Sequence, residues 1–220
     1  GDTIGTGLAA KAAPDGYTLL FYGSPIWILP LMQKTSYDPV RDFSPITLAV
    51  SSPNILVVHP ALPATSVKEL IALAKAKPGE LNYGAGVAGS SAHLSAELLK
   101  SMAGVNITHV SYKGSPPALA AMIAGEVQMM FAVAATVPPH LKAGRLRALA
   151  VTSLQPSDLA RGLPTMAASG LPGYESVLMV GVYGPAKIPP AVAKWLNQEI
   201  VRVLYRDDLK DKLFALGFEP

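Results

Sequence analysis

Short runs of strand-forming residues alternate with stretches of helical periodicity along nearly the whole chain, and glycine or proline turns separate them. Sheets with helices packed on them satisfy such alternation, so the sequence predicts an α/β fold with largely parallel strands. Small apolar residues over 4–13 read as a helix, Pro14-Asp15-Gly16 as a turn and residues 17–22 as a strand. A loop bearing Pro25, Pro30 and Pro39 is expected over 23–43. Strands are expected over 46–50 and 55–58, on either side of a break at Ser51-Ser52-Pro53-Asn54. Ser66-Val67-Lys68-Glu69 has the form of a capping box, followed by an apolar face of Val67, Leu70, Ile71 and Ala74 and a stop at Pro78-Gly79.

The middle of the chain repeats one device. A strand at 81–83 runs through the glycine-rich loop 84–89 into a helix that starts at Ser90 or Ser91 and is closed by Gly104. A strand over 105–112 then leads to Ser115, which with Pro116-Pro117 reads as the capped start of a second helix ending near Gly125. Further strands are expected over 127–133, 146–152 and 177–183, with a turn or two of helix over 138–144. From Pro190 a long helix carries Val192, Trp195, Leu196, Ile200, Val203 and Leu204 on one face, which puts Trp195 in the core; a last helix from Asp207 stops at Gly217.

Of the 220 residues, half are hydrophobic and 15% charged, enough to bury a sizeable core without disulfides or a structural metal. The chain has no cysteine, which excludes thiolate zinc sites, iron–sulfur clusters and a thiol nucleophile. The 18 lysines and arginines are scattered, so the net charge of +3 does not point to nucleic acid. The most apolar stretch, 116–136, is interrupted by Gly125, Glu126 and Gln128, and no membrane span is expected. The chain opens without Met or an apolar leader and closes directly after a helix stop, so both ends read as processed or truncated.

Three chemistries compete for the loop 84–91. Gly84-Ala85-Gly86-Val87-Ala88-Gly89 has the glycine spacing of a dinucleotide fingerprint, but the following strand carries no acid to hold a ribose. Ser90 or Ser91 with His93 suggests a serine hydrolase, though the nucleophile elbow and an orienting acid are missing. The third is anion capture: free amides around Gly89 and at the helix start, with two hydroxyls, suit a carboxylate. Against it stands the plain alternative that a serine merely caps the helix. Lys113 and Gly114 before the second helix would add a cation and another helix start, or a solvated surface lysine. Trp27 is a candidate stacking aromatic or part of a hydrophobic lid. The four histidines lack ligand spacing, so no metal is expected.

Several segments together resemble the Bug-type receptors, the periplasmic solute-binding proteins of tripartite tricarboxylate transporters. They are residues 10–20 (Ala-Lys-Ala-Ala-Pro-Asp-Gly-Tyr-Thr-Leu-Leu), 37–43 (Tyr-Asp-Pro-Val-Arg-Asp-Phe), 89–94 (Gly-Ser-Ser-Ala-His-Leu), 112–114 (Tyr-Lys-Gly) and 143–152 (Ala-Gly-Arg-Leu-Arg-Ala-Leu-Ala-Val-Thr). The resemblance implies a two-lobed periplasmic-binding-protein type II fold with two crossover strands, residues 1–54 and 184–220 forming one lobe and 55–183 the other. It also implies that the family's opening strand and helix and its final C-terminal segment are absent from this chain. Such receptors close over a small organic acid and present it to membrane transporter subunits, without catalytic residues, cofactor or metal.

The ligand contacts carried over fall on Gly23, Ser24, Gly89, Ser90, Ser91, His93, Lys113 and Gly114. Ala132 stands where the family commonly has Asp, Leu29 replaces a usual Asn, and the usual Trp near Met179 is absent. These departures imply a more apolar site, suited to an aliphatic or aromatic mono- or dicarboxylate rather than an amino acid. Other classes remain open here: a nicotinamide-dependent oxidoreductase or serine hydrolase using the loop 84–91, or the ligand-sensing domain of a transcription regulator with a helix-turn-helix upstream.

Overall fold

A computed structural model describes residues 2–86 and 89–220. The chain divides into two compact units, Gly1–Ser51 with Leu178–Pro220, and Ser52–Val177. In chain order the first unit opens with α1 (Asp2–Ala10), β1 (Leu20–Gly23), α2 (Pro25–Met32) and the first half of β2 (Phe43–Val58). The second unit takes the rest of β2, then α3 (Val67–Ala76), β3 (Asn82–Ala85), α4 (Ser91–Ala103), β4 (Thr108–Ser111), α5 (Ser115–Ile123), β5 (Met129–Val133), α6 (Pro138–Lys142) and β6 (Arg147–Val151). The chain returns through β7 (Val177–Pro185) to α7 (Pro190–Leu204) and α8 (Asp207–Ala215).

In the second unit the sheet order is β6-β2-β5-β3-β4. β3 is parallel to β4 and β5, whereas β2 is antiparallel to both β5 and β6, so the expected largely parallel sheet is in fact mixed. The run Ile55-Leu56-Val57-Val58 is buried on both faces, as a strand with cover on each side must be. Alternation in β5 divides its residues: Met129 and Phe131 join the core with α3 and α4, while Met130 and Ala132 join the core with α5.

In the first unit β1 pairs antiparallel with β7, which neighbours β2. Two small clusters flank these strands, one around Ile26, Tyr37 and Phe43, the other joining Ile46 and Val182 to α7. The second cluster takes Val192, Ala193, Leu196, Ile200 and Leu204 from α7. Trp195 lies roughly 60° outside that stripe by helix geometry and is 60% exposed, so it is not the core residue expected.

Two further expectations need correcting. The segment 23–43 is not all loop: Pro25 starts α2 from a position where its missing N–H costs nothing. The break expected at residues 51–54 is instead continuous strand. Ser51 pairs with Glu219 in the first unit and Asn54 with Val133 in the second, so Pro53 falls where one ladder hands over to the next.

Candidate functional site

Because β3, β4 and β5 are parallel, their carboxyl ends lie along one edge of the second unit's sheet, and the loops leading to α4 and α5 leave from there. Open α/β sheets bind ligands at that edge because helix starts with unused amides gather there. The two loops touch: a Cβ on Gly86 would stand 3.4 Å from the Gly114 Cα, and Gly114 itself has φ 111°. Only glycine accepts both the approach and the dihedral without strain.

At the start of α4, Ser90 is the capping residue, and its Oγ accepts a hydrogen bond from the His93 amide at 3.4 Å. The Leu94 amide reaches the Ser90 carbonyl. Among the described residues this leaves the Ser91 and Ala92 amides and the Ser91 hydroxyl without partners, as the first turn of a helix requires unless something else supplies an acceptor. The Gly89 amide is not free as expected. Gly89 adopts φ 85° and donates to Nδ1 of His93 at 3.3 Å, so the histidine four residues on closes that end of the turn. Val87 and Ala88 of this loop lie outside the described residues.

The second helix start contributes less than its sequence promised. The cap of α5 is Gly114, not Ser115, and no side chain bonds there. Pro116 and Pro117 lack N–H groups, which leaves Ser115 as the one amide donor in that turn. Lys113 is exposed and in no ion pair among the described residues.

His93 stands in an aromatic and charged cluster. Its ring centroid is 4.7 Å from that of His109, which stacks on Tyr83 at 4.9 Å and 16°. The Tyr83 hydroxyl and Lys100 Nζ each donate to Glu97 Oε1 at 2.7 Å, and Lys100 lies 5.8 Å from the Tyr83 ring centre. Burial would raise the Glu97 carboxyl, but these two hydrogen bonds and the nearby positive charge outweigh it and hold it below the usual range. Burial, then the Glu97 carboxylate, pushes the Tyr83 phenol up. Burial first and His93 second push the His109 imidazole down. Among the described residues no hydrogen bond joins the His93 ring to either serine hydroxyl, and its Nδ1 faces a backbone amide rather than an acid.

The remaining candidates are in the core of the second unit or belong to the first unit. Ala132, which the resemblance puts in the ligand site where the family commonly has Asp, is 1% exposed, its methyl packed in the core that also holds Met130, Ile55 and Ala118, so it lines no open surface. In the first unit Gly23 lets β1 approach β7, since a Cβ there would be 3.3 Å from the Met179 carbonyl. The Ser24 Oγ accepts from the Met179 amide at 3.5 Å, and half-buried Trp27 packs edge-on against Tyr183 with centroids 6.1 Å apart. Sequence reasoning passed over Ser95. The available signal was a serine on the buried stripe of α4 formed by Ala92, Ala96, Leu99 and Ala103.

The sequence model of the tripartite tricarboxylate transporter family receptor matches residues 1–220. The protein BugT of Bordetella pertussis is 35% identical over 223 residues, covering all of this chain and 68% of BugT. Among solved structures, R. palustris Rpa4515 with adipate shares 37% identity and a TM-score of 0.79 over 99% of this chain and 74% of that one. MatC of Rhodopseudomonas palustris with bound malate shares 27% identity and a TM-score of 0.75, with 99% and 74% coverage. The chain spans about two thirds of the length of the curated relatives it matches. With a periplasmic-binding-protein α/β fold and a family match along its whole length, the chain belongs to the tripartite tricarboxylate transporter receptors, the solute-binding Bug family.

Proposed function

We propose that this chain serves as a periplasmic, non-enzymatic receptor for a small organic acid, which it delivers to the membrane subunits of a tripartite tricarboxylate-type transporter. One carboxylate of the acid accepts from the Ser91 and Ala92 amides and the Ser91 hydroxyl. The partial positive charge of a 13-residue helix adds to this, and Lys113 attracts the anion from the neighbouring loop. The observation that carries the reading is the pair of Ser91 and Ala92 amides, without partners among the described residues, at the carboxyl edge of a parallel strand pair. The adipate and malate bound by two similar proteins favour an aliphatic dicarboxylate. No helix among the described residues is long and apolar enough to cross a membrane.

Native mass spectrometry for a co-purified acid, then a thermal-shift panel of mono- and dicarboxylates including adipate and malate, tests this directly. At least one acid is expected to raise the melting temperature, and a panel with no shift would end the proposal. Ser91→Ala removes a hydroxyl with no partner among the described residues. It is expected to weaken the best acid by about 1–3 kcal/mol in calorimetry while leaving the melting temperature of the free protein unmoved. Nicotinamide cofactors should cause no shift, and ester substrates should not turn over.

A further inference from the structure

Ser95 sits one turn into α4, below the Ser91 and Ala92 amides, and is completely buried. Its Oγ donates to the Ser91 carbonyl at 2.8 Å, lies 2.8 Å from the Ser176 Oγ and accepts from Asn54 Nδ2 at 3.3 Å. A serine hydroxyl has one proton and two lone pairs. Since its proton goes to Ser91, Ser176 is the donor in the Ser95–Ser176 contact, and the capacity of Ser95 is fully used. The Ser95 carbonyl accepts from the buried Tyr174 hydroxyl at 2.7 Å. Thr152 ties the partners together: Asn54 N donates to Thr152 Oγ1 at 2.8 Å, Thr152 N to the Asn54 carbonyl at 3.0 Å, and Ser176 N to the Thr152 carbonyl at 3.0 Å.

The location of these partners gives the knot its meaning. The second unit comprises Ser52–Val177, so Asn54 and Ser176 stand at the two points where the chain enters and leaves it. Both are fastened to the serine whose proton grips the first turn of α4. A serine back-bonded to the carbonyl four residues earlier also sets the local bend of a helix, and with it the direction of the amides ahead of it.

We propose that Ser95 is a positioning residue for acid capture, aiming the Ser91 and Ala92 amides and linking their occupancy to the two chain passages at Asn54 and Ser176. This rests on the proposed acid-binding role of the α4 start. An acid that draws on those amides pulls on the Ser91 turn, and the pull reaches the passages through one fully engaged hydroxyl. By linkage, whatever fixes the passages tightens the hold on the acid by the same factor.

The test combines calorimetry with hydrogen exchange, using adipate, or the tightest binder of the acid panel, on the parent protein and on Ser95→Ala, Ser95→Thr and Ser176→Ala. In the parent, the acid is expected to slow exchange at the α4 start and also at residues 52–54 and 174–177. Ser95→Ala should lose about tenfold or more in affinity and lose the protection at both passages while keeping it at α4. Ser95→Thr, which retains a hydroxyl, should recover the passage response, and Ser176→Ala should lose it at 174–177 alone. If Ser95→Ala fails to fold, Ser176→Ala carries the same decision. A lower melting temperature with parental affinity and an unchanged exchange pattern would make Ser95 a structural residue only and overturn the proposal. Absence of binding by the parent would overturn the acid-receptor reading along with it.

Discussion

His109 is a half-buried imidazole held against another imidazole. Tyr83 covers one of its faces, His93 lies 4.7 Å away, Glu97 and Lys100 supply the nearest charges, and its Nε2 is buried without a partner among the described residues. Burial and His93 together disfavour the charged form in the folded protein, while the unfolded chain accepts a proton near pH 6.5. The unfolded state therefore binds more protons in mildly acidic solution. Stability is complete above the ordinary histidine range and falls as the pH drops through it toward the lowered folded value. Urea unfolding at a series of pH values should show this acid loss in the parent and a flatter profile in His109→Phe, which keeps the stacked ring and removes the titration. Matching profiles for the two proteins would contradict the assignment. None of this could be read from sequence, where the four histidines are far apart and only strand pairing brings His109 beside α4.

Helix starts and stops were the most legible elements, because they depend on atoms a few residues apart. Ser66 accepts from the Glu69 amide at 3.2 Å as the capping pattern requires, and the Glu69 carboxylate reaches back chiefly to Thr65, accepting from its amide and its hydroxyl. Gly104 ends α4 in the left-handed conformation. The start of α5 was misassigned by one residue because the deciding interaction is not local. Gly114 takes φ 111° where Gly86 of the neighbouring loop presses against it. Gly114→Ala places a Cβ on that dihedral and is expected to cost about 1–3 kcal/mol in chemical denaturation, with weaker acid binding as the two loops part. A stability equal to the parent's would mean the turn relaxes freely, and the contact between the loops would then have no energetic role. β2 was the element most misread: Pro53 signals a break to any local rule, and only the change of ladder partners at that point lets the strand run through it.

The two units differ in how much apolar surface they bury. The second holds two large cores on opposite faces of its sheet, whereas the first holds two clusters of four buried residues each, and neither α7 nor α8 has a buried residue. Burial sets the free energy of local opening. Backbone amides of β3, β5 and residues 55–58 should therefore exchange far more slowly than those of β1, α7 and α8. Equal protection in the two units would show that burial does not set the order of opening here. The α/β class, most helix limits, the family and the serine-bearing helix start are legible without coordinates, because each is written in periodicity, capping residues or short motifs whose parts are neighbours in the chain. Tertiary structure alone decided that the Gly89 amide is taken by His93, that Ala132 is sealed in a core and that the sheet is mixed. It also decided that Ser95 joins both passages of the chain, since Asn54 and Ser176 lie 41 and 81 residues from it and only folding brings them within hydrogen-bonding reach.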